Sequence, residues 1–321
     1  MSPGGRTPPG GFYSEVMPRI RNLILAAVGG FALWRLLGPE VPPRFRGRQE
    51  RPTRLTGRTV LSGRHEFFVR EAGPDDGPPL VLLHGWVYDG LTTWHRVIPI
   101  LAETHRVYVI DLRSHGKSAR IRGRVDMAEI ADETAGVLDA LGLGCVPVVG
   151  YSMGGMVAQT LAHRYPARVN RLVLGATAAE PVAWPHWITM PAFLIGRALA
   201  RLDRLVPPRI AHRYLLATGA IPPHHAAWLW EALLDRDVDL YYQAGFAILR
   251  FDASGWIGKI GIPTLSIIPT KDQLVPPSRQ RRTADGLPDN RVVEIEGARH
   301  EAVLTHPTEV AEAIRDFVSG S

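Results

Sequence analysis

From about Arg58 onward, short runs of β-branched and other apolar residues alternate with longer stretches whose apolar positions follow a helical period. That rhythm predicts a parallel sheet covered by helices. The predicted strands are Leu80 to Leu83, Val107 to Ile110, Val146 to Val149, Arg171 to Leu174, Thr264 to Ile268 and Arg291 to Ile295. Several are almost wholly apolar, as strands buried on both faces must be. Helices are expected between them, for example over Ala128 to Leu141 and Met153 to Tyr165, and no internal repeat is visible.

Between Ala176 and Gly258 the alternation stops, and a stretch rich in Trp, Pro, Leu and Arg intervenes. It reads as an inserted helical lid. Its aromatic residues Trp184, Trp187, Phe193, Trp228, Trp230, Tyr241, Tyr242 and Phe246 suit the lid's own core one by one. Together they exceed what so small a unit can hide, so some are expected to line an apolar pocket. The expected organisation is an N-terminal arm over 1–54, a core formed by 55–176 and 259–321, and a lid over 177–258.

The arm has its own pattern. Its first 18 residues are rich in Gly and Pro without an apolar period, which predicts disorder. Residues 20–37 are strongly apolar, but only Asn22 to Trp34 are free of charge. A helix of that length spans about 20 Å, short of a hydrocarbon core near 30 Å, unless Arg21 and Arg35 snorkel to the two interfaces. The segment is read first as a membrane anchor or interfacial helix, next as a helix packed on protein, and last as a cleaved signal. The last lacks a small-x-small cleavage site in GPEVPP. An anchor with its larger positive excess on the C-terminal side would place the catalytic domain on the cytoplasmic face. The alternative is a soluble cytoplasmic protein.

Charge narrows the choice of partner. The 321 residues carry a net +6, but residues 1–58 hold ten arginines against three glutamates, a net +7, which leaves the remainder at −1. A near-neutral body argues against a nucleic-acid-binding face and confines any attraction to polyanions or anionic lipid to the arm. Composition is that of a globular protein, with 45% hydrophobic and 21% charged residues. The single cysteine, Cys145, requires no oxidising compartment and reads as a small buried side chain.

The chemistry concentrates at Val148-Val149-Gly150-Tyr151-Ser152-Met153-Gly154-Gly155, a buried strand running through Gly-x-Ser-x-Gly into a helix. The serine of such a motif sits on a cramped strand-to-helix turn, where Gly150 and Gly154 remove side chains that would clash. Its hydroxyl then lies at a helix N-terminus, where dipole and free amides favour developing negative charge. The predicted strand Leu80 to Leu83 ends in His84-Gly85-Trp86, so the backbone amide of Trp86 is expected to face the same point as that of Met153. Two such amides make an oxyanion hole. His84 itself reads as structural.

These motifs resemble those of the α/β-hydrolase superfamily from about Arg58 to the C-terminus. Asp111-Leu-Arg113-Ser114-His115-Gly116-Lys117-Ser118 is similar to the family's Asp-x-Arg-Gly-x-Gly-x-Ser loop, with Ser114 in place of the first glycine and Arg113 and Lys117 read as solvated loop charges. The resemblance implies the order serine, acid, histidine. The acid is then Asp272, in a loop where Pro269 replaces the usual glycine, with Glu180 as fallback. The base is His300, since only it and His306 follow the last predicted strand, and His306-Pro307 reads as a helix start. Arg299 replaces the glycine that usually precedes the base and puts an unexpected cation at the pocket rim.

The resemblance implies two-step acyl transfer without metal or organic cofactor. Relatives that open epoxides or cleave carbon–halogen bonds use Asp as nucleophile, which Ser152 excludes. The expected substrate is a small-molecule or lipid carboxylic ester of apolar character. The rivals are acyl transfer to another acceptor by the same triad, and a non-catalytic binding protein retaining the fold.

Overall fold

A computed structural model of the chain describes residues 29–30, 45, 47–52, 55–183 and 185–320. Segment 20–37, apart from two of its residues, and Trp184 therefore lie outside the described residues. The chain divides into two units, Met1–Phe45 and Arg46–Ser321, and the sheet with its covering helices belongs to the second.

All six strands expected from the alternation are present, as β3 (Pro79–Leu83), β4 (Arg106–Ile110), β5 (Val146–Tyr151), β6 (Val169–Gly175), β7 (Thr264–Pro269) and β8 (Asn290–Ile295). Two more precede them. β1 (Gly57–Ser62) and β2 (His65–Ala72) form an antiparallel hairpin whose turn begins at Gly63, at φ +58°, which glycine adopts without a Cβ clash. The order across the sheet is β1-β2-β4-β3-β5-β6-β7-β8, with β2 antiparallel to β4 and every later pairing parallel.

Alternate residues of the central strands feed two cores. Val81, Leu83 and Val148 face α3 (Met127–Ala140) and α4 (Met153–Arg164), while Leu80, Leu82 and Val149 face α1 (Gly90–Trp94), α2 (Ile98–Leu101) and, at the C-terminus, α11 (Pro307–Ser319). The pleat thus turns a nearly continuous apolar run into two opposed surfaces. α3 starts at a capping box, with Asp126 accepting from the Glu129 amide and Glu129 returning the bond.

Between β6 and β7 the chain forms α5 (His186–Leu202), α6 (Val206–Ala217), α7 (Ala226–Leu234) and α8 (Val238–Arg250). Residues 49–51 are bound to this helical segment. The Glu50 amide donates to the His224 carbonyl at 2.8 Å, the Ala227 amide donates to Gln49 Oε1 at 3.0 Å, and Arg51 pairs with Glu231. α9 (Pro277–Gly286) follows β7, and the short α10 (Ala302–Thr305) precedes α11. Among the described residues no helix is long and apolar enough to cross a membrane.

Two local expectations need correction. Cys145 is exposed, because it ends the loop before β5 and has not yet entered the covered part of the sheet. Arg113 is not a solvated loop charge; its side chain is 11% exposed and lies 3.5 Å from Glu133 and 3.7 Å from Glu129 of α3. Ser114 does stand where the backbone asks for glycine, at φ 61°, and its hydroxyl bridges the amide and carbonyl of Ile121.

Candidate active site

β5 runs between β3 and β6 and ends at Tyr151, after which the chain turns at once into α4. Ser152 occupies that turn at φ 55° and ψ −117°, a strained conformation costing on the order of 1–3 kcal/mol for a residue with a Cβ. The turn closes only because its neighbours are glycines. A Cβ on Gly150 would lie 2.3 Å from the Gly154 carbonyl oxygen, and one on Gly154 2.4 Å from that of Leu83. The Ser152 hydroxyl does not cap its own helix. It is left for another partner.

That partner is His300. Its Nε2 lies 3.0 Å from Ser152 Oγ, and its Nδ1 lies 2.8 Å from Asp272 Oδ2. Asp272 leaves the end of β7, and His300 follows β8, so neighbouring parallel strands deliver both to the same edge of the sheet as the serine. Asp272 is buried, and its Oδ1 accepts from the amides of Leu274 and Val275 at 2.8 and 2.9 Å. Its Oδ2 also accepts from Gln280 Nε2 at 3.0 Å. Burial opposes a charge on His300, but the hydrogen bond and charge of Asp272, with the charge of Glu301, outweigh it and raise the imidazole above its usual range.

The segment after β3 runs beside the serine. A Cβ on Gly85 would lie 3.5 Å from Ser152 Cβ. Among the described residues neither the amide of Trp86 nor that of Met153, the first residue of α4, has a hydrogen-bond acceptor. Trp86 is held from both ends, its carbonyl 2.9 Å from His115 Nε2 and its indole N–H donating to the Tyr241 carbonyl at 2.7 Å. His84 is fully buried, with Nδ1 2.7 Å from the Gly85 carbonyl and Nε2 accepting the Leu112 amide, and burial first of all pushes its pKa down to about 3. A neutral, fixed ring of this kind is a scaffold.

Ser152 and His300 open into a cavity of about 280 Å³, walled mainly by Val87, Met156, Val182, Ile248, Leu274 and Val303. Contrary to expectation, none of the described aromatic residues between β6 and β7 lines this cavity; its rings are those of Trp86, Tyr88 and Tyr151. Phe193 and Tyr241 stack on Trp86 at 5.4 and 4.3 Å, Trp228 and Trp230 are buried, and Trp187 is 57% exposed. A larger cavity of about 620 Å³ contains neither Ser152 nor His300, and most of its charges are paired, among them Arg70 with Asp111 and Arg120 with Asp235. The reactive groups are in the smaller one.

The structure thus brings Ser152, Asp272, His300, Gly85, Trp86 and Met153 together. It keeps apart Glu180, which pairs with Arg279, and His306, which precedes the last helix. Arg299 is exposed and does not line the cavity. Three participants are not singled out by sequence reasoning. Gln280 gives no signal within the polar run of α9. Tyr151, whose hydroxyl donates to the His300 carbonyl at 2.6 Å, is visible only as the residue before the serine. Glu301, beside His300, lines the cavity. Among the described residues no group of His, Cys, Asp and Glu is arranged to hold a metal ion.

A family profile described as alpha/beta hydrolase fold matches residues 78–307. A pimeloyl-[acyl-carrier protein] methyl ester esterase of Aeromonas hydrophila is 30% identical over 256 residues, covering 75% of this chain and 96% of the relative. Among solved structures, an esterase from Thermogutta terrifontis aligns with a TM-score of 0.70 at 26% identity, covering 83% of this chain and 98% of that one. An enol-lactonase from Burkholderia xenovorans aligns at 0.72 and 23% identity, covering 82% and 100%, a likeness of fold.

Proposed function

The chain belongs to the α/β-hydrolase family and is an ester-hydrolysing enzyme, and from that premise we propose that it acts through an acyl-enzyme on Ser152. The reading is carried by one observation: the 3.0 Å and 2.8 Å contacts that link Ser152, His300 and Asp272 open into an apolar cavity.

His300 Nε2 takes the Ser152 proton as Oγ bonds to the ester carbonyl carbon. The carbonyl oxygen becomes an oxyanion, to which the free amides of Trp86 and Met153 donate hydrogen bonds. Collapse expels the alcohol, which takes the proton from His300. A water then repeats the sequence on the acyl-enzyme, releasing the acid and Ser152. Throughout, Asp272 keeps the proton on Nδ1, so that Nε2 is free to act as base.

The substrate is a carboxylic ester whose apolar acyl or alcohol part fills the cavity, whose volume suits a small ligand. The relatives it resembles are named as esterases of a methyl ester, pimeloyl-[acyl-carrier protein] methyl ester, which supports the ester part of this reading. In this reading the helices α5–α8 form the lid, since Ile248 of α8 supplies part of the wall. The N-terminal arm, which carries segment 20–37, is the element that would associate with a membrane.

Replacing Ser152 with Ala tests the assignment. The variant is expected to fold and to lose on the order of a millionfold in ester turnover, because the members of such a triad act as a unit. Labelling of wild-type protein by a fluorophosphonate, and none of the variant, is the companion result. Retention of more than a small fraction of turnover would remove Ser152 as nucleophile.

A further inference from the structure

Glu301 stands in an unexpected place. It follows the base directly, is only 4% exposed, and lines the cavity that receives the ester. It is the sole acidic residue among the described residues lining that cavity, and neither lysine nor arginine lines it with them. Its side chain has one hydrogen-bond partner, the Tyr214 hydroxyl of α6, which donates to Oε2 at 3.1 Å. Oε1 has none among the described residues. This carboxylate is covered by its neighbours, is matched by one neutral donor, and meets no lysine or arginine among the residues that line the cavity. A ligand that supplies the missing donors is favoured there, and one that brings a second negative charge is opposed.

We propose that Glu301 is a specificity-determining residue, and that the enzyme prefers esters whose far end carries an ammonium, amide N–H or hydroxyl group over esters whose far end is a free carboxylate or phosphate. The proposal rests on the reading of Ser152 as nucleophile only in taking this cavity as the ester site. The near wall receives the acyl or alcohol chain, and Glu301 accepts hydrogen bonds from its polar end. Tyr214 occupies Oε2 and so directs the incoming donor to Oε1. At an effective dielectric constant near 20, the bare interaction of a unit charge about 4 Å from this carboxylate corresponds to roughly a thousandfold in affinity, of which desolvation of the incoming group takes back a large part. Discrimination arises as much from what the site repels as from what it attracts.

The test uses full-length enzyme and a matched series of methyl esters, with two to six methylenes between the ester carbonyl and a terminal methyl, hydroxyl, ammonium or carboxylate. The readout is the ratio of kcat/KM between ammonium-ended and carboxylate-ended esters of one length, so that any general change in turnover cancels. Wild-type enzyme is expected to favour the ammonium end by at least about tenfold at the best length, and E301Q to bring the ratio close to one. Y214F keeps the carboxylate and is expected to keep the preference. A ratio unchanged in E301Q, or lost in Y214F while E301Q retains it, overturns the proposal. Hydrolysis of the methyl-ended ester that survives in S152A would overturn the nucleophile reading and leave the charge ratio as a separate result.

Discussion

Replacing Gln280 with Leu probes how the acid is held. Gln280 is 2% exposed and its amide nitrogen donates twice, to Asp272 Oδ2 at 3.0 Å and to the Val275 carbonyl at 2.7 Å. A buried hydrogen bond to a charged group contributes about 2 kcal/mol and a neutral one about 1 kcal/mol. The gain from removing Oε1, which is buried without a partner, offsets about 1 kcal/mol of that. The expected loss is therefore about 2 kcal/mol, which at a urea slope of about 3 kcal/mol per M lowers the unfolding midpoint by roughly 0.7 M. Catalysis should change in a definite direction. With one donor fewer, the charge of Asp272 bears more fully on His300, so the acidic limb of kcat/KM moves to higher pH. Urea unfolding followed by tryptophan fluorescence, together with a pH profile on a soluble ester, measures both. An unfolding midpoint within about 0.2 M of wild type with an unmoved limb would refute the claim that Gln280 braces the acid.

Asp272→Asn is expected to lower turnover roughly 10⁴-fold by favouring the wrong imidazole tautomer, while Glu180→Gln has little effect; kinetics of the two variants decide between the acids. Because His300 is raised from 6.5, activity should fall as pH drops through a value above 6.5. The same shift contributes stability that is fully present below 6.5 and lost as pH rises through the folded value, and Asp272→Asn should remove that pH dependence. Gly85→Ala should fold, since its methyl meets Ser152 Cβ at an ordinary 3.5 Å, yet lose about tenfold or more in kcat/KM by intruding 4.0 Å from Oγ; Gly150→Ala, 2.3 Å from a carbonyl oxygen, should fail to give stable protein in a thermal melt. Removing residues 1–46 spares the contacts of Gln49, Glu50 and Arg51, so soluble-ester activity should persist and membrane association be lost on fractionation; an insoluble or inactive product, beside full-length protein found only in the soluble fraction, would overturn the anchor.

The parallel strands are legible because burial on both faces leaves a nearly unbroken apolar run, and the serine turn because its sterics demand glycine at fixed offsets. The β1–β2 hairpin is harder to read. β1 is an edge strand, exposed at Gly57, Arg58, Thr59 and Leu61 and buried only at Val60 and Ser62, so its pattern is weak beside that of β3 or β5. Gln280 and Glu301 escape for a different reason. Each is a polar residue whose meaning comes from what lies across space, Asp272 in one case and the cavity in the other, and local sequence does not encode that. The aromatic stretch is legible in kind, but the rings that line the cavity are Trp86, Tyr88 and Tyr151 from other segments, and none of the described aromatic residues between β6 and β7 lines it.

The three groups linked at the sheet edge are made in the order Ser152, Asp272, His300, with the four helices α5–α8 synthesised between the first and the second. A chain whose last strand has not docked has Ser152 and the amides of Trp86 and Met153 beside one another, but lacks the His300 imidazole that contacts the serine hydroxyl. The Tyr151 hydroxyl, one residue before the nucleophile, finds its acceptor only when the His300 carbonyl arrives. If Ser152 and His300 act as proposed, reactivity requires that β8 has added to β7. In a refolding experiment, fluorophosphonate labelling would accordingly time the docking of the last strand.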